Sequence, residues 1–154
     1  MRRFLCALFL AASIAAGAET DFAVVASPDV PLNSLSLADL RKLFLGDRQF
    51  WTANLRVALV MRAPVARERA MVVWTICKMS ESQFGQYWIG KVMRADCTAS
   101  PRQFSSNQAA MDMVRTMPGA IAIVNAAQVQ NGLKVLPVEG KLPNQPGYML
   151  RLSD

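Results

Sequence analysis

Apolar positions along the chain alternate between helical and strand periods. Ala110, Met111, Val114 and Met117 recur at three and four, so a helix beginning at Asn107 has one apolar face. Pro118-Gly119 stops it, since proline cannot continue a helix and glycine accepts a left-handed turn. Residues 120–124 are then apolar at every position, as in a strand covered on both sides. Upstream, residues 22–26 read as a buried strand, followed by a proline-bounded loop over 27–31. Ser36-Leu-Ala-Asp39 resembles a capping box with Asp in place of Glu. It opens a helix through Phe44 that turns Leu37, Leu40, Leu43 and Phe44 inward and ends at Gly46.

Residues 55–61 read as a second strand. Pro64 suits the first turn of the next helix, where Ala66, Ala70, Val73, Trp74 and Cys77 share a face as far as Met79. Ser80 or Ser82 caps another helix, with Phe84, Tyr87, Trp88 and Val92 packing inward. Residues 133–138 form a further strand and 148–152 an edge strand, after a segment rich in proline and glycine. Strands alternating with helices predict an α/β fold: one mixed sheet with helices on both faces.

The start of the chain reads differently. Arg2 and Arg3 precede an apolar run over 4–16, too short to span a bilayer comfortably, and Ala16-Gly17-Ala18 suits cleavage. The expectation is a signal peptide over 1–18 and a single domain over 19–154, exported to the periplasm. An uncleaved anchor is the alternative. Losing Arg2 and Arg3 takes the formal charge from +6 to +4, a mild bias toward anionic partners. Nucleic acid is not expected, since no lysine-rich tract or aromatic-basic stripe occurs. Export would expose Cys77 and Cys97 to oxidation, which predicts one disulfide, with two buried thiols as the alternative.

Three blocks carry a family resemblance, in order. Ser36-Leu-Ala-Asp-Leu-Arg-Lys-Leu-Phe-Leu-Gly46 with Trp51 looks like "L-x-D-I-F-L-G-K…W". Val-Ala-Leu-Val-Met-Arg62-Ala63 looks like a strand ending in Arg-Ala, and 107–124 carries "MPGAIAIV". Gly147-Tyr148-Met-Leu150 is similar to a closing "G-Y-P-L". Together they resemble the phosphate-type periplasmic solute-binding proteins, a type 2 periplasmic binding fold. The resemblance implies one lobe of that two-lobed fold, here the second. It also implies a small oxyanion ligand, phosphate first.

Two departures accompany it. The family's proton-accepting acid lies in the other lobe and has no match. The family loop "D-G-S-G-T", whose hydroxyls and N–H groups hold the anion, is here Pro64-Val65-Ala66-Arg67-Glu68. Arg62 and Ala63 are the matching positions that remain, and guanidinium suits an oxyanion. Arg67 and Arg69 fall in the first turns of the following helix, where cations oppose the dipole unless an anion visits. Arg62, Ala63, Arg67 and Arg69 are therefore the expected anion-binding set. The alternative is that Arg67 and Arg69 are solvated charges offset by Glu68.

The chain has no histidine, which removes the commonest general base and metal ligand. No base stands beside a serine or cysteine, and no carboxylate pair stands out. Neither an enzyme, a metal site nor a cofactor is expected. Zinc is disfavoured with no histidine and, once the expected leader takes Cys6 with it, only two of the three cysteines, and nine methionines read as core rather than as copper(I) ligands. Two functions follow. One is a solute-binding-like protein for transport or sensing. The other is a ligand-free interaction module for an envelope transporter or sensor. A homodimer closing the cleft is compatible with either.

Overall fold

The computed structural model describes residues 18–153, so the expected leader falls outside the described residues except for Ala18. Eight strands and four helices follow. They are β1 (Glu19–Ala26), α1 (Leu37–Phe44), β2 (Phe50–Thr52), β3 (Leu55–Arg56), β4 (Ala58–Arg62), α2 (Arg67–Ala70), α3 (Glu81–Met93), β5 (Arg102–Phe104), α4 (Asn107–Thr116), β6 (Ala120–Asn125), β7 (Lys134–Leu136) and β8 (Arg151–Ser153). The main sheet runs β5-β4-β6-β1-β7, with β8 added to the start of β1. It is mixed: β4 is parallel to β5 and β6, while β1 is antiparallel to β6, β7 and β8.

Alternation sorts the core into two layers. Ile121 and Ile123 of β6, with Phe22 and Val24 of β1, face α1, the 67–76 helix and α3. Ala120, Ala122 and Val124, with Ala23 and Val25, face Ala110, Met111 and Val114 of α4. β6 is thus buried on both faces, as its uniform apolar run requires. The α/β expectation, with helices on both faces of a mixed sheet, holds.

Several local expectations change. Ser36 does cap α1 with Asp39 in a reciprocal box, and Ser80 caps α3 with Gln83 in the same way. The strand expected over 55–61 breaks at Val57, whose N–H donates to the Gln49 carbonyl at 2.9 Å. Its first residues instead form a hairpin with β2. The helix after Pro64 is α-helical only over Arg67–Ala70 and continues as π-helix over Met71–Ile76. The wider turn changes which residues share a face. Val72, Val73, Ile76 and Cys77 are buried, and Trp74, expected inside, is 59% exposed. Val92 is also exposed.

The expected Cys77–Cys97 disulfide is corrected: both thiols are free and buried. Cys97 Sγ donates to the Gly46 carbonyl at 3.6 Å. Cys77 sits at the end of the π-helical turn, where burial pushes its pKa up to about 12. An oxidising compartment makes a disulfide favourable only where the two Cβ atoms already stand about 4 Å apart.

Pro118-Gly119 does more than end α4. Gly119 has φ +72°, and a Cβ there would stand 2.0 Å from the Arg56 carbonyl oxygen. Its own carbonyl accepts from Trp51 Nε1 (2.9 Å) and Ala58 N (3.0 Å), and its N–H donates to Asp29 (3.1 Å). The turn therefore joins α4, the hairpin and the loop after β1. Gly119→Ala is expected to lower stability by roughly 2–4 kcal/mol, through a disallowed φ and a backbone clash. Urea unfolding measures this, and a loss below about 1 kcal/mol would contradict the assignment.

At the other end of β1, the Arg151 guanidinium pairs with Asp21, whose Oδ2 also accepts from Asn144 N. The Arg151 hydrogen bond holds the Asp21 carboxyl below the usual range. A depressed folded pKa contributes stability above the unfolded value of about 3.9 and loses it as pH falls through the folded value. Acid titration should show the wild type losing stability as pH falls below about 4, and Asp21→Asn losing less over the same range. Parallel curves would rule out this coupling.

The thiol assignment is checked by alkylation at pH 8 without reductant. Cys77 and Cys97 should stay unlabelled in native protein and both take label in urea. Residues that label in urea only after reduction would establish the disulfide instead.

Candidate functional site

In sheets of this kind, ligands collect at the carboxyl ends of parallel strands, where loops and helix N-termini meet. β4 ends in Arg62, and the chain then turns through Ala63-Pro64-Val65-Ala66 into α2. Val65 holds φ +78° and is fully exposed, a conformation that β-branched residues rarely adopt. Ala66 is the N-cap of α2 and supplies no side-chain cap. An uncapped helix start attracts negative charge. Here that charge comes from within the chain.

Glu68, in the first turn of α2, is buried to 7% exposure. Its Oε2 stands 3.4 Å from Arg62 Nη1, and its Oε1 accepts from Asn107 Nδ2 at 2.6 Å. Asn107, the first residue of α4 after the Ser106 cap, also donates to Gln128 Oε1 at 2.6 Å. Arg62 Nη2 reaches the Ser105 carbonyl at 3.1 Å. The arrangement gathers the Arg62 guanidinium and the Asn107 amide around the buried Glu68 carboxylate, with the amide of the exposed Gln128 on its outer side. It is formally neutral. Two of its polar atoms, Arg62 Nε and Asn107 Oδ1, are buried without a hydrogen-bond partner. Such atoms are costly unless something meets them.

The four residues expected to bind an anion are dispersed. Only Arg62 joins this cluster. The Ala63 N–H is used by the sheet, donating to the Phe104 carbonyl at 2.8 Å. Arg67 turns to the β1–β8 edge, reaching Thr20 Oγ1 and the Ser153 carbonyl, each at 3.2 Å. Arg69 is buried and forks onto Glu81, with Nε 2.8 Å from Oε1. It also donates to the Arg62 carbonyl at 3.3 Å and lies over the Phe84 ring. Arg67 and Arg69 thus hold elements together.

Sequence reasoning weighed Glu68 only as a charge offset and did not single out Asn107 or Gln128 as site residues. The available signal was an acid in the first turn of a helix that lacks a capping side chain. Among the described residues no group of three or more His, Cys, Asp and Glu could hold a metal ion. Nor is any described helix long and apolar enough to cross a membrane.

The fold is similar to part of several solved substrate-binding proteins. A provisionally assigned phosphate ABC transporter substrate-binding protein with bound phosphate, from Clostridium perfringens, superposes with TM-score 0.69 and 14% identity. The match covers 88% of this chain and 54% of that one. PstS from Borrelia burgdorferi gives TM-score 0.70 and 13% identity, covering 89% of this chain and 56% of that one. An ABC-type phosphate transport receptor from Vibrio cholerae gives 0.68 and 15%, covering 87% and 54%. The chain spans a little over half the length of these proteins. At such identities the likeness is one of fold. No protein-family model matches the sequence, and no curated protein sequence does.

Proposed function

We propose that the chain is an exported, non-enzymatic lobe of the periplasmic substrate-binding type whose oxyanion seat is filled by its own Glu68. It works as an interaction module for an envelope transporter or sensor, and not as a carrier of free phosphate. The observation that carries this reading is the buried Glu68 carboxylate, held by Arg62 on one side and Asn107 on the other. A carboxylate and a phosphate edge present similar oxygens to a guanidinium. The sequence supports the same reading. Glu68 falls at the last position of the loop where the resembling family has threonine. Val65 falls where that loop has its first glycine, and it keeps a glycine-like φ. The hydroxyl donors of that loop are thus replaced by an acid.

A second reading rests on Arg62 Nε and Asn107 Oδ1, the buried donor and acceptor without partners. If Glu68 withdraws, a protonated oxyanion such as hydrogen phosphate could meet both. The site would then bind its ligand in competition with its own carboxylate.

Titration calorimetry with phosphate separates the readings. Wild type should give no saturable heat at millimolar phosphate. Glu68→Gln removes the competing charge in the same shape and should bind phosphate, and Arg62→Ala added to it should abolish that binding. Saturable binding by wild type that Arg62→Ala removes would establish the second reading. Silence from a folded Glu68→Gln variant would sink the idea that this cluster is an oxyanion seat.

A further inference from the structure

We infer that α3 and the flank of β4 and β5 carry a second site, which takes a single-chain anionic amphiphile through an apolar groove beside a basic pocket at the start of those strands. The groove, about 400 Å³, runs along α3 and is lined mostly by apolar side chains, among them Met61, Phe84, Ile89 and Met93, with Arg69 and Gln103 in its wall. That size falls within the roughly 300–1,000 Å³ typical of small-ligand sites. Ile89 and Met93 are 63% and 81% exposed, far more than isolated packing requires of such side chains.

The adjoining pocket, about 130 Å³, shares Trp88, Ser100 and Pro101 with the groove. It is lined by Arg48, Arg56 and Arg102, with the hydroxyls of Thr98 and Ser100, and no acidic side chain lines it. Arg48 lies over the Trp51 ring (5.2 Å) and Arg56 over the Phe50 ring (4.9 Å). Among the described residues no carboxylate lies within ion-pairing distance of these three arginines. Nearby Asp47 is taken by Lys91 and Asp96 by Arg94, while Arg48 acts on Asp39 only at longer range.

Three cations lining one pocket without an ion-paired carboxylate favour an anion, and guanidinium suits a carboxylate or phosphate head group. Between head and tail stands Trp88, 4% exposed, whose Nε1–H is buried with no acceptor. An acidic head with an unbranched apolar tail satisfies both halves. A small inorganic anion would leave the groove bare, and a neutral apolar molecule would leave the arginines unanswered. The basic pocket shares no residue with the Glu68 cluster, while the groove reaches Arg69, which donates to the Arg62 carbonyl.

Decanoate, titrated below its micellar concentration at pH 8 against the full chain, tests the assignment by calorimetry. One equivalent should bind, octanoate about fifteenfold more weakly, since each of the two missing methylenes contributes roughly a fourfold factor. Decyltrimethylammonium and inorganic phosphate should not bind here. Arg56→Glu with Arg102→Glu, and separately Ile89→Asp with Met93→Asp, should each weaken decanoate at least tenfold. All four positions are exposed, so these variants should unfold at the wild-type temperature.

Affinity independent of tail length, phosphate binding that the arginine variant removes, or decanoate binding unchanged in both variants would each overturn the proposal. Vesicles of phosphatidylglycerol distinguish the source of the ligand. Sedimentation with them that both variants abolish would make the occupant a membrane surface and overturn the free-ligand assignment.

Discussion

A buried carboxylate between a guanidinium and an amide is the contact on which the carboxyl end of β4 depends. Glu68 joins three elements that the sheet alone does not bring together: Arg62 ends β4, Glu68 lies in the first turn of α2, and Asn107 begins α4. Removing one partner would leave a charge in a place water reaches poorly, which costs more than the pair itself contributes. The carboxylate also answers the helix N-terminus that Ala66 leaves uncapped. One side chain thus serves as counter-ion to Arg62, as acceptor for Asn107 and as the acid of the first turn of α2.

That arrangement requires β4 to be placed accurately, and its placement comes from the far end of the same strand. Gly119 receives both Trp51 Nε1 and Ala58 N on its carbonyl, fixing where β4 begins against β6. β6, apolar on both faces, can do nothing but sit in the middle of the sheet. From there the register carries through five residues of β4 to Arg62. Arg69, forked onto Glu81 and donating to the Arg62 carbonyl, holds the exit of that strand from the other side. The two arginines differ by seven positions and have different roles: Arg69 is structural, and Arg62 faces the polar cluster.

The strongly patterned parts of the fold were legible in the sequence. The helix over 107–116, its Pro-Gly stop and the all-apolar strand after it appear where periodicity puts them. So do the reciprocal Ser36–Asp39 box and the helix opened by Ser80. What was not legible has physical causes. β2, β3 and β5 have two or three residues each, too short for a period to show. The π-helical turn keeps apolar composition while changing its phase, so Trp74 points to solvent although 3.6-residue spacing sends it inward. The cysteine argument used compartment chemistry and had no access to geometry. At the site, Arg62 was readable from its position, but its partner was not. Whether an arginine meets a bound anion or an internal acid depends on contacts with Asn107, 39 residues beyond Glu68.

The claim that Glu68 occupies the seat beside Arg62 is tested most directly by a double-mutant cycle on stability. Arg62→Met, Glu68→Gln and the pair together would be unfolded in urea at neutral pH. A buried, mutually dependent pair predicts a coupling of roughly 1–3 kcal/mol, with the double variant more stable than the two single losses would sum to. Coupling within about 0.5 kcal/mol of zero would mean that the two side chains act independently. The carboxylate would then not be the occupant of this site.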